Sequence, residues 1–274
     1  MWLAWEIAAW IAVLCVVIWG VLRGADTRVA RITRTYAREL SLMFGLYALW
    51  QLGGRISVID QAGAFRRGQQ VWDLERLLLL PDEASLQAWL LPHSWLIQAS
   101  NIYYGGAHVP AIIACLAWLF VRHRDHYDIA RNNLTLLTGA SVLIQLVAVA
   151  PPRFIEETGM VDTGILYNQS VYSSLGYEMA GQLQAMPSIH VGWAFLVGVA
   201  TWTVGTGWVR WVGPIHAALT FIVVAITGNH YWLDGIVAGF ILIGTTWVLR
   251  VAWPRLTQVV PTEQPVDVLE YPTV

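Results

Sequence analysis

Apolar residues fall into seven long blocks separated by charged or turn-rich segments: Met1–Leu22, Leu40–Ile59, Tyr103–Val121, Leu134–Ala150, Ser188–Val204, Trp211–Ile226 and Tyr231–Val251. Each approaches the roughly 20 residues that an α-helix needs to cross a hydrocarbon core. The pattern predicts an all-α fold, a polytopic transmembrane helix bundle. Residues 40–255 would form a six-helix core, preceded by one extra N-terminal helix and an Arg-rich loop over 1–39. The first block has no basic residue ahead of its apolar stretch and no small-x-small cleavage site, so it reads as an anchor rather than a signal peptide. Two segments do not fit a span. Gln61–Asn101 is amphipathic, with DLERLLLL and LQAWLL on either side of Pro81-Asp82, and is expected as helices lying at the membrane interface. Residues 256–274 carry Pro261, Pro265 and Pro272 among acids and read as a disordered tail.

Arginine placement orients such a bundle. In the seven-span reading, Arg23, Arg28, Arg31, Arg34, Arg38, Arg122, Arg124, Arg131, Arg210, Arg250 and Arg255 share one side, which is then cytoplasmic. Arg55, Arg66, Arg67, Arg76 and Arg153 take the other, which places the N-terminus outside and the C-terminus inside.

Composition sharpens the class. Hydrophobic residues make up 57% of the chain and charged residues 12%, against about 25% charged in a soluble domain. All 16 basic residues are arginine, a bias that a GC-rich, bacterial genome explains. A net charge of −2 with no basic, aromatic-interleaved face gives no footing for nucleic acid. Cys15 and Cys115 sit inside apolar blocks, without a CxxC partner, and read as small buried hydrophobes.

Three short features then fall on the same, outer face. Pro151-Pro152-Arg153-Phe154 stands at the exit of the fourth block, Met186-Pro187-Ser188-Ile189-His190 opens the fifth, and Gly228-Asn229-His230-Tyr231-Trp232-Leu233-Asp234 opens the seventh. None is specific alone; arginine counting, which used none of this chemistry, brings them together. His230 and Asp234 are one helical turn apart on one face. An aspartate there can take the proton of one ring nitrogen and leave the other available as a nucleophile. Asn229 suits an N-cap, and Pro187 suits a first helical turn whose free amides form an anion site near Ser188. His190 is then placed as acid or base beside a bound phosphate, and Arg153 offers a forked contact to its oxygens.

Blander readings compete. A helix-end histidine can simply sit at the interface, and Arg153 can simply anchor its helix. Asp234 is harder to dismiss, because an acid within an apolar run costs about 2.5–3.5 kcal/mol on insertion scales. His108, beside Tyr104, is expected at the interface with a pocket-lining role as the alternative; Tyr231 is a further pocket candidate. His216 is expected to bond a neighbouring helix, and His123 and His126 to be solvated. No cluster on the outer face has metal-ligand spacing, so neither metal nor cofactor is expected.

These three features resemble the motifs of the type-2 phosphatidic acid phosphatase superfamily. Pro187–His190 is similar to its second motif, P-S-x-H, and His230–Asp234 to its third, H-x-x-x-D. The chain departs from the phosphatase pattern: Leu146 stands where a lysine is usual, Val223-Val224 where a Ser-Arg pair is usual, and the first motif reads Pro151-Pro152-Arg153-Phe154 rather than Arg-Pro. The runs APPR, MPSIHVG and NHYWLDG are more similar to the inositol phosphorylceramide synthase-like, inositolphosphotransferase branch. The resemblance implies a metal-free reaction at the outer face of the plasma membrane, with His230 as nucleophile, His190 as acid and base, and Asp234 orienting His230. A phosphorylated head group would pass from a phospholipid donor to an alcohol or lipid acceptor. A lipid phosphate phosphatase, with water as acceptor, is the alternative. A non-catalytic lipid carrier or scaffold is the second.

Overall fold

A computed structural model describes residues 4–56, 60–170 and 182–252; the tail expected over 256–274 and Arg255 lie outside them. The described chain is helical, with one isolated parallel β-bridge between Val149 and Gln184 and no strand among the described residues. Eleven α-helices follow in order: α1 Trp5–Val21, α2 Arg28–Ile56, α3 Gln61–Leu77, α4 Glu83–Leu90, α5 Ser94–Gly106, α6 His108–Arg122, α7 Arg124–Gln145, α8 Thr163–Leu166, α9 Ile189–Val204, α10 Val209–Ile226 and α11 Trp232–Trp247. The all-α helical bundle is therefore observed. The protein belongs to the membrane class, since apolar side chains such as Trp10, Val21, Ile215, Phe240 and Ile243 stand outward along its longest apolar helices.

Among the described residues, length and composition alone support fewer crossings than the seven expected. By length and composition, Trp5–Gly24, Val209–Ile226 and Trp232–Val251 can each cross, and α5 with α6 makes a fourth if that pair is one span bent by 50°. Helix α9 is apolar but has only 16 residues. Helices α2 and α7 are long enough, yet α2 opens with Arg28, Arg31, Arg34 and Arg38, and α7 with Arg124, Asp125, Asp128 and Arg131. Their charged first turns remove them from the apolar count. The third block is also redrawn: Tyr103–Gly106 closes α5, and the bend falls at Gly105-Gly106, where backbone propensity for helix is weakest.

The core lies where α6, α7, α9 and α11 meet, around Ile112, Leu116, Leu119, Leu134, Leu137, Leu196, Val197 and Leu242. Helices α9 and α10 run closely together at Gly213. A Cβ there would come within 2.1 Å of Thr201 Oγ1 and 2.5 Å of Val197 O, so only glycine permits this approach.

Helix α7 ends at Gln145 rather than running to Ala150 as its hydropathy suggested. The next residues pair with other backbone instead. Val149 N–H donates to Leu183 O (2.9 Å), Ala185 N–H donates to Val149 O (3.1 Å), and Ala150 N–H donates to Ala64 O (3.0 Å). Pro151 and Pro152 then bar a return to helix. This short pairing sets the segment before α9 beside the segment before Arg153, and the site is built on it.

The segment 61–101 also differs from a simple interfacial layer. Its helices turn polar side chains inward, so that Glu75, Glu83, Gln87 and Asn101 are all buried. Gln87 clasps two loops at once: Nε2 donates to Val161 O and Ile226 O, and Oε1 accepts from Val161 N–H.

A candidate active site at three helix starts

Three histidines sit where helices begin. His108 is the first residue of α6, His190 the second of α9, and His230 lies two residues ahead of α11. Their rings form a chain, with centroids 4.9 Å apart between His108 and His190 and 5.6 Å apart between His190 and His230. Tyr104 packs against the same rings, 4.8 Å from His190 and 6.4 Å from His230. Residues distant in sequence thus meet at one end of the bundle. His108 is buried there rather than exposed at an interface, behind the ring of His190.

His230 has the geometry of a prepared nucleophile. Its Nδ1 lies 2.7 Å from Ala185 O and 3.2 Å from Asp234 Oδ2. A carbonyl oxygen only accepts, so Nδ1 carries the hydrogen and Nε2 the lone pair. The β-bridge described above aims the Ala185 carbonyl at this ring. Asp234 is wholly buried and its Oδ2 also accepts from Tyr231 N–H at 2.9 Å. That contact makes Tyr231 the N-cap of α11, a role expected of Asn229.

Asn229 does something else. Its Oδ1 accepts from Arg153 Nη1 at 2.5 Å, and its Nδ2 donates to Thr227 Oγ1. Arg153, with its side chain 2% exposed, also donates from Nε to Asp162 Oδ2 (3.0 Å) and from Nη2 to Gln182 Oε1 (2.7 Å). Its backbone is fixed too: the amide donates to Gly228 O at 3.1 Å. Gly228 has φ +68°, and a Cβ there would stand 2.9 Å from that of Arg153. Arg153, Asp162, Asn229, Tyr104, Asn101 and Gln169 line, with Gly164 and Ser170, a small open cleft next to the histidines. The arginine is therefore at the cleft as expected, but its guanidinium is oriented by a carboxylate and two side-chain amides.

Two other expectations change. Ser188 is fully buried, and its hydroxyl oxygen accepts from Val191 N–H as the N-cap of α9. It shapes the helix start rather than standing open to phosphate, and Pro187 precedes the cap instead of opening the first turn. Tyr231 is no pocket residue: it is fully buried and its hydroxyl donates to Ala150 O. His216 bonds across helices as expected, its Nδ1 2.5 Å from the Tyr103 hydroxyl.

No sequence pattern marks the support beneath α11. Glu75 Oε1 accepts from Leu233 N–H (2.7 Å) and Glu83 Oε1 from Trp232 N–H (3.3 Å), so two buried carboxyls from α3 and α4 cap the helix that carries Asp234. Arg76 bonds Glu83 at 2.8 Å. Burial, then the neighbouring Glu83 carboxyl, pushes the Glu75 carboxyl well above the usual range. Glu75 Oε2 makes no hydrogen bond among the described residues, and Arg76 Nη2, already bonded to Glu83, stands 3.8 Å from it as an ion-pair partner.

A sequence profile of the PAP2 superfamily matches residues 69–249, which include every residue of this cluster. The chain belongs to the PAP2 superfamily. Members of that superfamily act on phosphoesters as phosphatases or phosphotransferases, and this chain is an enzyme of that general lipid-phosphoester kind. No curated protein and no solved structure matches it. As a PAP2-superfamily site it has unusual surroundings. Val223 and Val224 are buried against Tyr104 and Val191, and Leu146 is 43% exposed. None of these three can offer a charged contact to phosphate.

Proposed function

We propose that this protein is a metal-independent lipid head-group phosphotransferase working through a phosphohistidine on His230 at the outer face of the plasma membrane. The observation that carries this reading is the His230 ring, whose Nδ1–H is shared between Ala185 O and Asp234 while its neighbour is the His190 ring. His230 Nε2 attacks phosphorus and the bond from phosphorus to the leaving oxygen breaks, with His190 giving that oxygen its proton. In the second step the acceptor O–H proton returns to His190 as the new P–O bond forms and the Nε2–P bond breaks. Arg153, held beside the cleft, meets the phosphoryl oxygens by exchanging one of its present partners.

Charge favours a phosphodiester donor. A phosphomonoester near pH 7 approaches two negative charges, whereas a diester carries one. With Leu146, Val223 and Val224 apolar, Arg153 is the basic side chain at the cleft among the described residues, a match for one charge rather than two. A diester donor makes the reaction head-group transfer, whereas a monoester donor with water as acceptor would make it the phosphatase reaction.

The test uses purified protein in vesicles holding phosphatidic acid, phosphatidylglycerol and phosphatidylinositol, with diacylglycerol as added acceptor. Mass spectrometry reads gained and lost phospholipids, and labelled phosphate is trapped on the protein under alkaline conditions. Label on His230, lost in His230→Ala together with all turnover, is expected. Label on His190, or turnover intact in both histidine variants, would defeat the proposal.

A further inference from the structure

His108 lies outside the three motifs, yet its ring is nearer to His190 than that of His230 is, at 4.9 against 5.6 Å. Its Nδ1 is 2.9 Å from Tyr104 O. In an unbroken helix that carbonyl would accept the amide of residue 108; at the bend between α5 and α6 it accepts the imidazole N–H instead. Nδ1 therefore bears the hydrogen, and Nε2 of the neutral ring bears a lone pair. That Nε2 is buried and has no hydrogen-bond partner among the described residues, and His190 Nδ1 is in the same condition. A buried polar atom left unmatched costs about 1–3 kcal/mol. Here two such atoms belong to rings 4.9 Å apart at 67°, so a modest turn of either ring closes one bond that satisfies both.

The arrangement has a counterpart within the same site. His230 has its Nδ1–H engaged by Ala185 O and Asp234. For His190, no backbone oxygen or carboxylate among the described residues fills that place. His216 is no substitute, because its Nδ1 is occupied by Tyr103 and its ring is 6.0 Å from that of His108.

We propose that His108 is a positioning residue for His190: its Nε2 accepts the Nδ1–H of His190 and so turns Nε2 of His190 toward the reacting phosphoester. The functional consequence rests on the acid–base role given to His190 above. A histidine that hands its Nε2 proton to a leaving oxygen passes from imidazolium to the neutral Nδ1–H ring, and an acceptor behind Nδ1 favours both of those forms while keeping Nε2 for the exchanged proton. With Nδ1–H held, His190 carries a proton at Nε2 only when it is to give one away, and recovers it from the acceptor alcohol. One proton leaves the pair of rings in the first step and one returns in the second, so its proton count is restored over a full cycle.

The experiment compares wild-type protein with His108→Phe, which keeps an aromatic ring without an acceptor, and His108→Gln, whose carboxamide oxygen can stand in for Nε2. The first readout is nitrogen NMR of histidine-labelled protein in detergent. Wild type should show His190 protonated at Nδ1, with a scalar coupling across the N–H···N bond. His108→Phe should scramble that tautomer and His108→Gln should restore it. The second readout is leaving-group dependence. With phosphatidylglycerol in vesicles, which expels an alkoxide, His108→Phe should slow phosphoenzyme formation about 10–100-fold, the usual loss when an orienting partner is removed. With hexadecyl 4-nitrophenyl phosphate, whose leaving group needs no proton, it should change little.

Equal slowing with both donors would mark His108 as packing only, and an unchanged His190 tautomer in His108→Phe would overturn the pairing. Should His108→Phe fail to fold, the wild-type coupling and His108→Gln still decide it. Inactivity of the wild type toward both donors would instead remove the catalytic reading, while the tautomer measurement would still judge the pairing.

Discussion

Asp234→Asn is the substitution whose cost the geometry lets one work out in advance. Removing the carboxylate takes away two separable things, its influence on the His230 tautomer and its charge. The first loss should be small. Ala185 O is nearer to His230 Nδ1 than Asp234 is, at 2.7 against 3.2 Å, and it holds the hydrogen on Nδ1 without help. The asparagine oxygen can also keep accepting from Tyr231 N–H, so α11 keeps its cap. The second loss should be large. When Nε2 attacks phosphorus with Nδ1 still protonated, the ring becomes cationic. A full charge 3.2 Å away is then worth about 5 kcal/mol at an effective dielectric constant near 20, or between about three and four powers of ten in rate. Rapid-quench phosphoenzyme formation should therefore fall by about 10³–10⁴, and by the same factor for alkyl and nitrophenyl donors. Nitrogen NMR should meanwhile show the His230 tautomer unchanged. A slowing of less than about tenfold would mean that Asp234 acts only as a cap. A tautomer flip in the variant would mean that the Ala185 carbonyl does not hold the ring.

His190→Ala should lose about 10²–10⁴-fold with alkyl donors and far less with a nitrophenyl diester, read by the same quench assay. Glu75 keeps a proton in the folded state that the unfolded chain releases above the ordinary carboxyl range, near pH 4. That stabilisation is therefore complete below the unfolded value and is lost as pH rises toward the raised one. Melting in detergent should decline with pH across that window, and Glu75→Gln should flatten the decline. Gly228→Ala should cost about 1–2 kcal/mol for its left-handed backbone and, by pushing on Arg153 at 2.9 Å, raise KM more than it lowers kcat. Activity should persist in EDTA; a loss restored specifically by magnesium would require a metal-held phosphate instead.

The helical class and the membrane setting were legible because both rest on long-range composition, and the block boundaries show where that signal stops. Hydropathy ran the fourth block on to Ala150, since Ala148, Val149 and Ala150 are as apolar as any helix residue. Pairing with Leu183 and Ala185, which no local pattern marks, ended it at Gln145. The helix boundaries shifted for a related reason: α2 and α7 each join a charged start to an apolar end, and a block of apolar letters does not reveal that both halves are one helix.

The cluster around His190 and His230 was legible for a different reason, since Asp234 and the two histidines interrupt apolar runs and so stand out as costly. Their supports did not stand out. Amphipathic periodicity says that a helix has a polar face but not which way that face turns. In α3 and α4 the polar face was expected to meet water, and instead Glu75 and Glu83 meet the unsatisfied amides of Trp232 and Leu233. A helix beginning inside a bundle has orphan N–H groups that lipid cannot satisfy, so some other element must bring acceptors to it. His230 is set by the same necessity, its Nδ1–H taken by a carbonyl from a segment 45 residues away. An apolar helix that opens on a histidine therefore implies a polar partner elsewhere in the chain. Here those partners are short acidic helices and a two-residue backbone pairing.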